Sequence, residues 1–233
     1  VADKGAMPAW IPLSVQRALG RRMIKKLIGN PENYGLPKPD HEPLDAHPSV
    51  SGEFLTRVGC GDITPKPNIK RFDGGVVEFA DGSREEIDVV IYATGYNVSF
   101  PFMDENVVKV VDNHVPLYKR IFDPGNPSLF FMALAQPLPT LVNFAEQQMK
   151  LIGRYLTGQY ALPDADEMKR TIAADDHMYT GHFYKSARHT MQLDFNRYVW
   201  EMDKEIKRGA KRAQAKPGLP VPPRAAQMGV AAE

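Results

Sequence analysis

Cysteine is nearly absent: Cys60 stands alone in 233 residues. A single thiol excludes an internal disulfide and any all-cysteine metal site, and it fits a reducing compartment. Cys60 itself is expected to be an inert core thiol. An excess of charge is missing too. The 29 Lys and Arg against 28 Asp and Glu leave a formal net charge of +1, so no whole-chain field calls for nucleic acid or an anionic membrane. No apolar run approaches the ~20 residues of a spanning helix, and the first residues lack the apolar centre of a signal peptide. No transmembrane segment and a cytoplasmic location are therefore expected. A glycine-rich phosphate loop is also missing. Gly59-Cys60-Gly61 is the only Gly-x-Gly, and Pro65 and Pro67 follow where a helix would have to propagate, which predicts a turn. Ser49, Ser51 and Ser99 sit in no Gly-x-Ser-x-Gly context, which excludes a nucleophile elbow. His177, His182 and His189 lack the i, i+4 spacing of a helical ligand pair, so no metal site is expected. The first residue is Val rather than Met, which reads as the carboxyl part of a longer protein or a truncated product.

What is present begins with a core: 43% hydrophobic residues are enough to bury one in a chain of this length. Asp88-Val-Val-Ile-Tyr-Ala-Thr-Gly-Tyr96, running into Asn97-Val-Ser-Phe-Pro-Phe102, is the most informative stretch. Its apolar run from Val89 to Ala93 predicts a strand covered on both faces in a parallel sheet. Gly95 ends that strand, where positive φ and close approach of backbone to a ligand are permitted, in the crevice where open α/β sheets bind nucleotides. Ahead of it, Gly75–Ala80 and Ser83–Asp88 flank Asp81-Gly82 and predict a β-hairpin.

The spacing of Leu13, Leu19, Met23, Ile24 and Leu27 predicts an amphipathic helix over 13–28, stopped by Gly29-Asn30-Pro31, with its basic face solvated and its other side packed. Residues 31–68 predict a connector with one short helix near 50–58. Pro127–Leu134 predicts a second buried strand, Ala135–Thr140 a break, and Leu141–Leu156 a helix closed by Gly158. Further helices are predicted over 164–176 and 191–202, the second packing through Phe195, Tyr198, Val199 and Met202. Asp175-Asp176 and Glu85-Glu86 are expected on solvated surface.

On these residues the chain resembles the carboxyl half of the flavin-containing monooxygenases. Asp-x3-(aromatic)-Ala-Thr-Gly-Tyr with Phe-Pro-Phe is similar to the family's signature, and Asn30–His41, His47–Ser51 and Gly61–Ile69 resemble its connecting region. Gln136-Pro-Leu-Pro139 with Glu146 and Gln148 resembles its final strand, loop and helix, and the resemblance spans roughly 10–205. It implies an α/β fold, part of a flavoprotein with two Rossmann-like dinucleotide-binding domains, carrying a β-meander and C-terminal helices. The segments would be 1–70 as helix and connector at the edge of the NADPH domain, 71–160 as the returning part of the FAD domain, 161–205 as C-terminal helices, and 206–233 as a disordered tail.

It also implies FAD and NADPH as cofactors. Ala93, Thr94, Gly95, Tyr96, Gln136, Pro137, Leu138 and Thr140 would be the flavin-binding residues, with Tyr96 and Asn97 structural at a domain junction. A helix whose first turn faces the flavin's pyrimidine end would offer free N–H groups and a positive dipole end to reduced flavin. The activity implied is oxygenation of a small nucleophile, an amine nitrogen or sulfide sulfur, by molecular oxygen through a C4a-hydroperoxyflavin, and the isolated chain is expected to be inactive. A Baeyer-Villiger or N-hydroxylating monooxygenase half shares much of this architecture. A non-catalytic remnant, or a subunit needing an amino-terminal partner, would carry the same motifs, and a bared apolar face would then favour homo-oligomers.

Overall fold

A computed structural model of the chain describes residues 11–46, 51–104, 106–138, 141–181, 183 and 190–215. Thr140, His182, His189 and the end of the expected tail lie outside the described residues. The chain divides into two compact units. One comprises Val1–Arg17, Leu44–His47 and Asn97–Glu233, the other Ala18–Pro43 and Pro48–Tyr96. Among the described residues no helix is long and apolar enough to cross a membrane.

Helix α1 spans Leu13–Ile28, the bounds that the periodicity predicts. Its contacts are the reverse of those expected. Arg17 bonds to the Leu44 carbonyl at 3.0 Å and pairs with Asp45, Arg21 donates to the Pro43 carbonyl at 3.1 Å, and Lys25 pairs with Glu42 at 2.7 Å. These basic residues recur every four positions and so share one face. Leu19, Met23, Leu27 and Ile28 are exposed. Asn30 then accepts from the Glu32 N–H and caps a 3-10 turn at Pro31–Tyr34, where proline's fixed φ suits the first position.

In the unit of Ala18–Pro43 and Pro48–Tyr96, α2 (Phe54–Gly59) overlaps the helical stretch predicted near 50–58, and β1 (Ile69–Asp73), β2 (Val76–Phe79) and β3 (Arg84–Glu86) form an antiparallel meander. The predicted hairpin is β2–β3, with Gly82 at φ 86° where its turn needs the left-handed region. Arg71 sits directly opposite Glu78, 2.9 Å away, and Lys70 reaches the same carboxylate at 2.7 Å. These two cations hold Glu78 below the usual carboxylate range. Among the described residues of this unit, Val58, Val77 and Phe79 are the buried apolar ones.

Two expectations fail here. Val89–Ala93 forms no strand, and Val89 and Ile91 are 74% and 86% exposed. A central parallel strand takes its stability from ladders and faces on both sides, and no described strand pairs with this one. Cys60 is exposed, not a core thiol, because it follows the last turn of α2 with its N–H bonded to the Thr56 carbonyl. We therefore expect stoichiometric reaction of Cys60 with an aromatic disulfide reagent in native buffer. Labelling seen only after denaturation would contradict the exposed position.

In the other unit the core gathers around Tyr118, Phe122, Phe144, Leu151, Tyr160 and Tyr198. A second cluster of Val108, Val115, Leu117 and Phe131 takes in Phe100 of the Phe-Pro-Phe segment, whose ring meets Phe131 edge-on at 5.4 Å. Residues 127–134 form no strand, contrary to expectation. Phe130 makes one isolated bridge to Phe122, and Ala133 turns left-handed at φ 60°, which ends any extended run.

Helix α3 (Leu141–Leu156) has the predicted bounds, and α4 (Ala165–Thr180) starts where predicted, with Asp164 accepting the Glu167 N–H as its cap, but runs past residue 176 to Thr180. Residues 192–194 are strand β5, and α5 starts only at Phe195, because Asp194 accepts the Arg197 N–H as its cap. α5 continues to Ala215, past the 205/206 boundary, held by buried Glu205 and Gly209.

Candidate functional site

Strand β4 (Gln136–Leu138) pairs parallel with β5 (Gln192–Asp194), Gln136 opposite Gln192 and Pro137 opposite Leu193. In chain order each strand precedes a helix, β5 running directly into α5 and β4 coming before α3, which begins at Leu141. Because the strands are parallel, both helices start beyond the same strand end, and their dipoles bring partial positive charge there. The two ends differ in charge. Asp194 places a carboxylate on α5, whereas the first turn of α3 holds no acid and exposes Leu141 and Val142. Gln136 is exposed, with its backbone N–H on the Met191 carbonyl at 2.9 Å, and Pro137 is buried. The side chain of Leu138 lies outside the described residues.

The same unit holds a buried polar centre. Lys119 and Arg120 are consecutive left-handed residues, φ 53° and 58°, between Tyr118 and Ile121. Non-glycine residues there cost about 1–2 kcal/mol each. The neighbours that hold the turn come from three helices. Tyr198 of α5 donates to the Lys119 carbonyl at 2.9 Å, and Gln148 of α3 donates to the Arg120 carbonyl at 2.9 Å. From α4, Asp175 pairs with the Lys119 ammonium at 2.8 Å and Asp176 with the Arg120 guanidinium at 2.9 Å. His114 lies 3.3 Å from Asp176 and 2.6 Å from Arg120.

Asp175-Asp176 is thus no solvated surface pair. Burial pushes the Asp175 carboxyl above its usual range, with Lys119 pulling the other way. Burial also pushes the Tyr179 and Tyr198 hydroxyls well above the usual phenol range.

None of Lys119, Arg120, Asp175 or Tyr198 was singled out by sequence as a polar determinant of the site. The signal for Gln148 is present: it sits at i+4 from Phe144 and i−3 from Leu151 on the buried stripe of α3, where an amide must find partners.

The predicted flavin-binding residues divide between the two units: Ala93–Tyr96 in one, Gln136–Leu138 in the other. Ala93–Tyr96 is without regular secondary structure, and Tyr96 is 97% exposed. Gly95 has φ 94° with open space where a Cβ would stand, so backbone there is accessible to a planar ligand. Tyr92 packs edge-on to Phe72 of β1, centroids 6.3 Å apart.

Each unit by itself carries one feature open to a ligand: exposed backbone at a left-handed glycine in one, and an acid-free helix N-terminus after a parallel strand in the other. A pyrophosphate finds no such cradle at the Gly-x-Gly. The N–H groups of Cys60, Gly61 and Asp62 are bonded to the carbonyls of Thr56, Val58 and Arg57, closing α2 as a helix C-terminus. The predicted turn is what stands there. Among the described residues no group of three or more His, Cys, Asp or Glu is placed to hold a metal ion.

A family model described as flavin-binding monooxygenase-like matches residues 6–220. Flavin-containing monooxygenase 5 of Oryctolagus cuniculus is 39% identical over 165 residues, covering 70% of this chain and 31% of the relative. Dimethylaniline monooxygenase (N-oxide-forming) 2 of Rattus norvegicus is 34% identical over 204 residues, covering 86% and 37%. The solved structure of S-allyl-L-cysteine S-oxygenase from Allium sativum is 32% identical with a TM-score of 0.47, covering 61% of this chain and 33% of that one. The chain spans about a third of the length of the curated relatives it matches.

Proposed function

The chain belongs to the flavin-binding monooxygenase-like family, and from that premise we propose that it supplies the isoalloxazine wall of an NADPH- and FAD-dependent monooxygenase acting on soft nucleophiles. The observation that carries the reading is the acid-free N-terminus of α3 at the carboxyl end of β4. When bound, FAD reduced by NADPH supplies the electrons with which molecular oxygen is activated for transfer to an amine nitrogen or sulfide sulfur. A relative named for N-oxide formation on dimethylaniline supports the nitrogen class.

This chain's residues orient and stabilise. Gln136, Pro137, Leu138 and Thr140 would line the ring, and the positive dipole end of α3 would stabilise the negative charge that reduction brings. Ala93, Thr94, Gly95 and Tyr96 would offer backbone to the cofactor in their own unit. Exposed Leu141 and Val142 would exclude water from the ring face.

Without a phosphate cradle at the Gly-x-Gly, the 233-residue chain should grip the ring and little else. Riboflavin and FAD are therefore expected to bind it with weak affinities that agree within about threefold, and NADPH oxidation should need further protein. Fluorescence quenching in parallel titrations measures this. Tighter FAD binding by three orders of magnitude would demonstrate a phosphate site and contradict the reading, and absence of quenching by either flavin at millimolar concentration would sink it. Gly95→Val should weaken FAD binding in the complete protein: no neighbour lies within 4 Å of the added Cβ, but at φ 94° a β-branched residue is strained whatever the space, so the backbone offered to the cofactor must shift. Unchanged affinity in that variant would remove Gly95 from the site.

A further inference from the structure

We infer that Gln148, which touches no proposed cofactor contact directly, is the positioning residue for the flavin wall: it fixes the Ala133 turn and through it the placement of β4. The inference rests on the reading of β4 and α3 as that wall. Gln148 is fully buried on α3, 0% exposed. Its Oε1 accepts the Ala133 N–H at 2.8 Å, and its Nε2 donates to the Arg120 carbonyl at 2.9 Å. A donor on one side and an acceptor on the other admit one orientation of the amide.

The two partners are the critical backbone points of this unit. Arg120 belongs to the left-handed turn that joins α3, α4 and α5. Ala133 is left-handed at φ 60° and lies three residues before Gln136. A non-glycine residue holds that conformation only where its surroundings over-determine it, and the bond that Ala133 donates goes to Gln148. The same helix carries the proposed flavin-facing first turn two turns upstream, at Leu141. Gln148 therefore sets the spacing between the strand that precedes the wall and the helix that follows it.

Glutamate is the discriminating replacement. A neutral carboxyl in that position keeps one acceptor for Ala133 and one O–H donor for Arg120, whereas the carboxylate is acceptor-only and faces a carbonyl. Gln148→Leu lacks both groups at every pH. Riboflavin titrations on wild type, Gln148→Glu and Gln148→Leu should give a pH-independent affinity for wild type. The Leu variant should be weaker by at least about tenfold. The Glu variant should match wild type in acid and fall to the Leu level as pH rises.

Amide hydrogen exchange, with the Phe131 N–H as internal reference because it is bonded to the Ile121 carbonyl, should show Ala133 deprotected by a similar factor in Gln148→Leu. Wild-type flavin affinity in the Leu variant, or Ala133 protection unchanged relative to Phe131, overturns the inference. If wild type itself binds no flavin, the flavin reading falls, while exchange at Ala133 and Gln136 still decides the positioning role. If the Leu variant does not fold, the acid rescue of the Glu variant decides it.

Discussion

Gly209→Ala destabilises the protein by more than about 2 kcal/mol, although the same change in an open helix interior stabilises by nearly 1 kcal/mol. Gly209 is buried within α5, and an added Cβ would fall far inside van der Waals contact with Cδ2 and Cε2 of Tyr160. The ring has nowhere to go. Its hydroxyl donates to Glu205 at 2.9 Å, the Ala161 N–H that follows it bonds to the Gly209 carbonyl at 3.1 Å, and Arg212 donates to the Ala161 carbonyl at 2.9 Å while lying over the ring.

Because the obstacle is an aromatic ring held at three points, the cost of overpacking exceeds the gain in helix propensity. Gly153→Ala is the control. Gly153 sits exposed inside α3 with nothing within 4 Å of an added Cβ, so that variant should gain about 0.5–1 kcal/mol. Urea unfolding of the two variants against wild type measures the difference. Equal stabilities for Gly209→Ala and wild type would show that Tyr160 can swing away.

The second large effect is expected at the polar centre and depends on pH. Lys119→Met leaves Asp175 buried opposite an apolar side chain, and breaking one side of a buried pair costs about 3 kcal/mol or more. Asp175 already titrates above its usual range, burial outweighing the attraction of Lys119. Removing the cation raises it further. An acid whose folded pKa exceeds its unfolded value favours the protonated native state. Its contribution is thus most favourable below the ordinary value of about 4 and is lost as pH climbs through the raised folded value.

The deficit of Lys119→Met should therefore be greatest at neutral and alkaline pH and shrink in acid, across the interval between the ordinary and raised values. Adding Asp175→Asn should recover most of it at neutral pH. Stability curves from pH 4 to 8 test this, and a deficit of constant size across that range would show that packing on Tyr118, over which the ammonium lies at 5.6 Å, and not charge, explains the loss.

What was legible in the sequence were elements whose signals are local. α1 ends where Gly29-Asn30-Pro31 stops it, α4 starts on the carboxylate of Asp164, α3 closes before Gly158, and the β2–β3 hairpin turns at Asp81-Gly82. Each is decided within a few residues by φ preference, capping or period. The family was legible for a related reason: its motifs are short ordered strings, and the match over residues 6–220 agrees with them.

Only the tertiary structure decided the rest, because the deciding partner lies far away along the chain. Val89–Ala93 carries every local mark of a buried strand yet is exposed, since a ladder needs a neighbour that no local preference supplies. Asp175 and Asp176 look like a solvated pair until α4 brings them against Lys119 and Arg120, more than 50 positions earlier. Cys60 looks like a core thiol until the end of α2 leaves it in solvent. By itself the sequence determined periodicity, caps, turns and ancestry, all properties of contiguous residues. Burial, ion pairing and the bond from Ala133 to Gln148 were decided by packing, because the energy of a buried polar group belongs to whatever it meets.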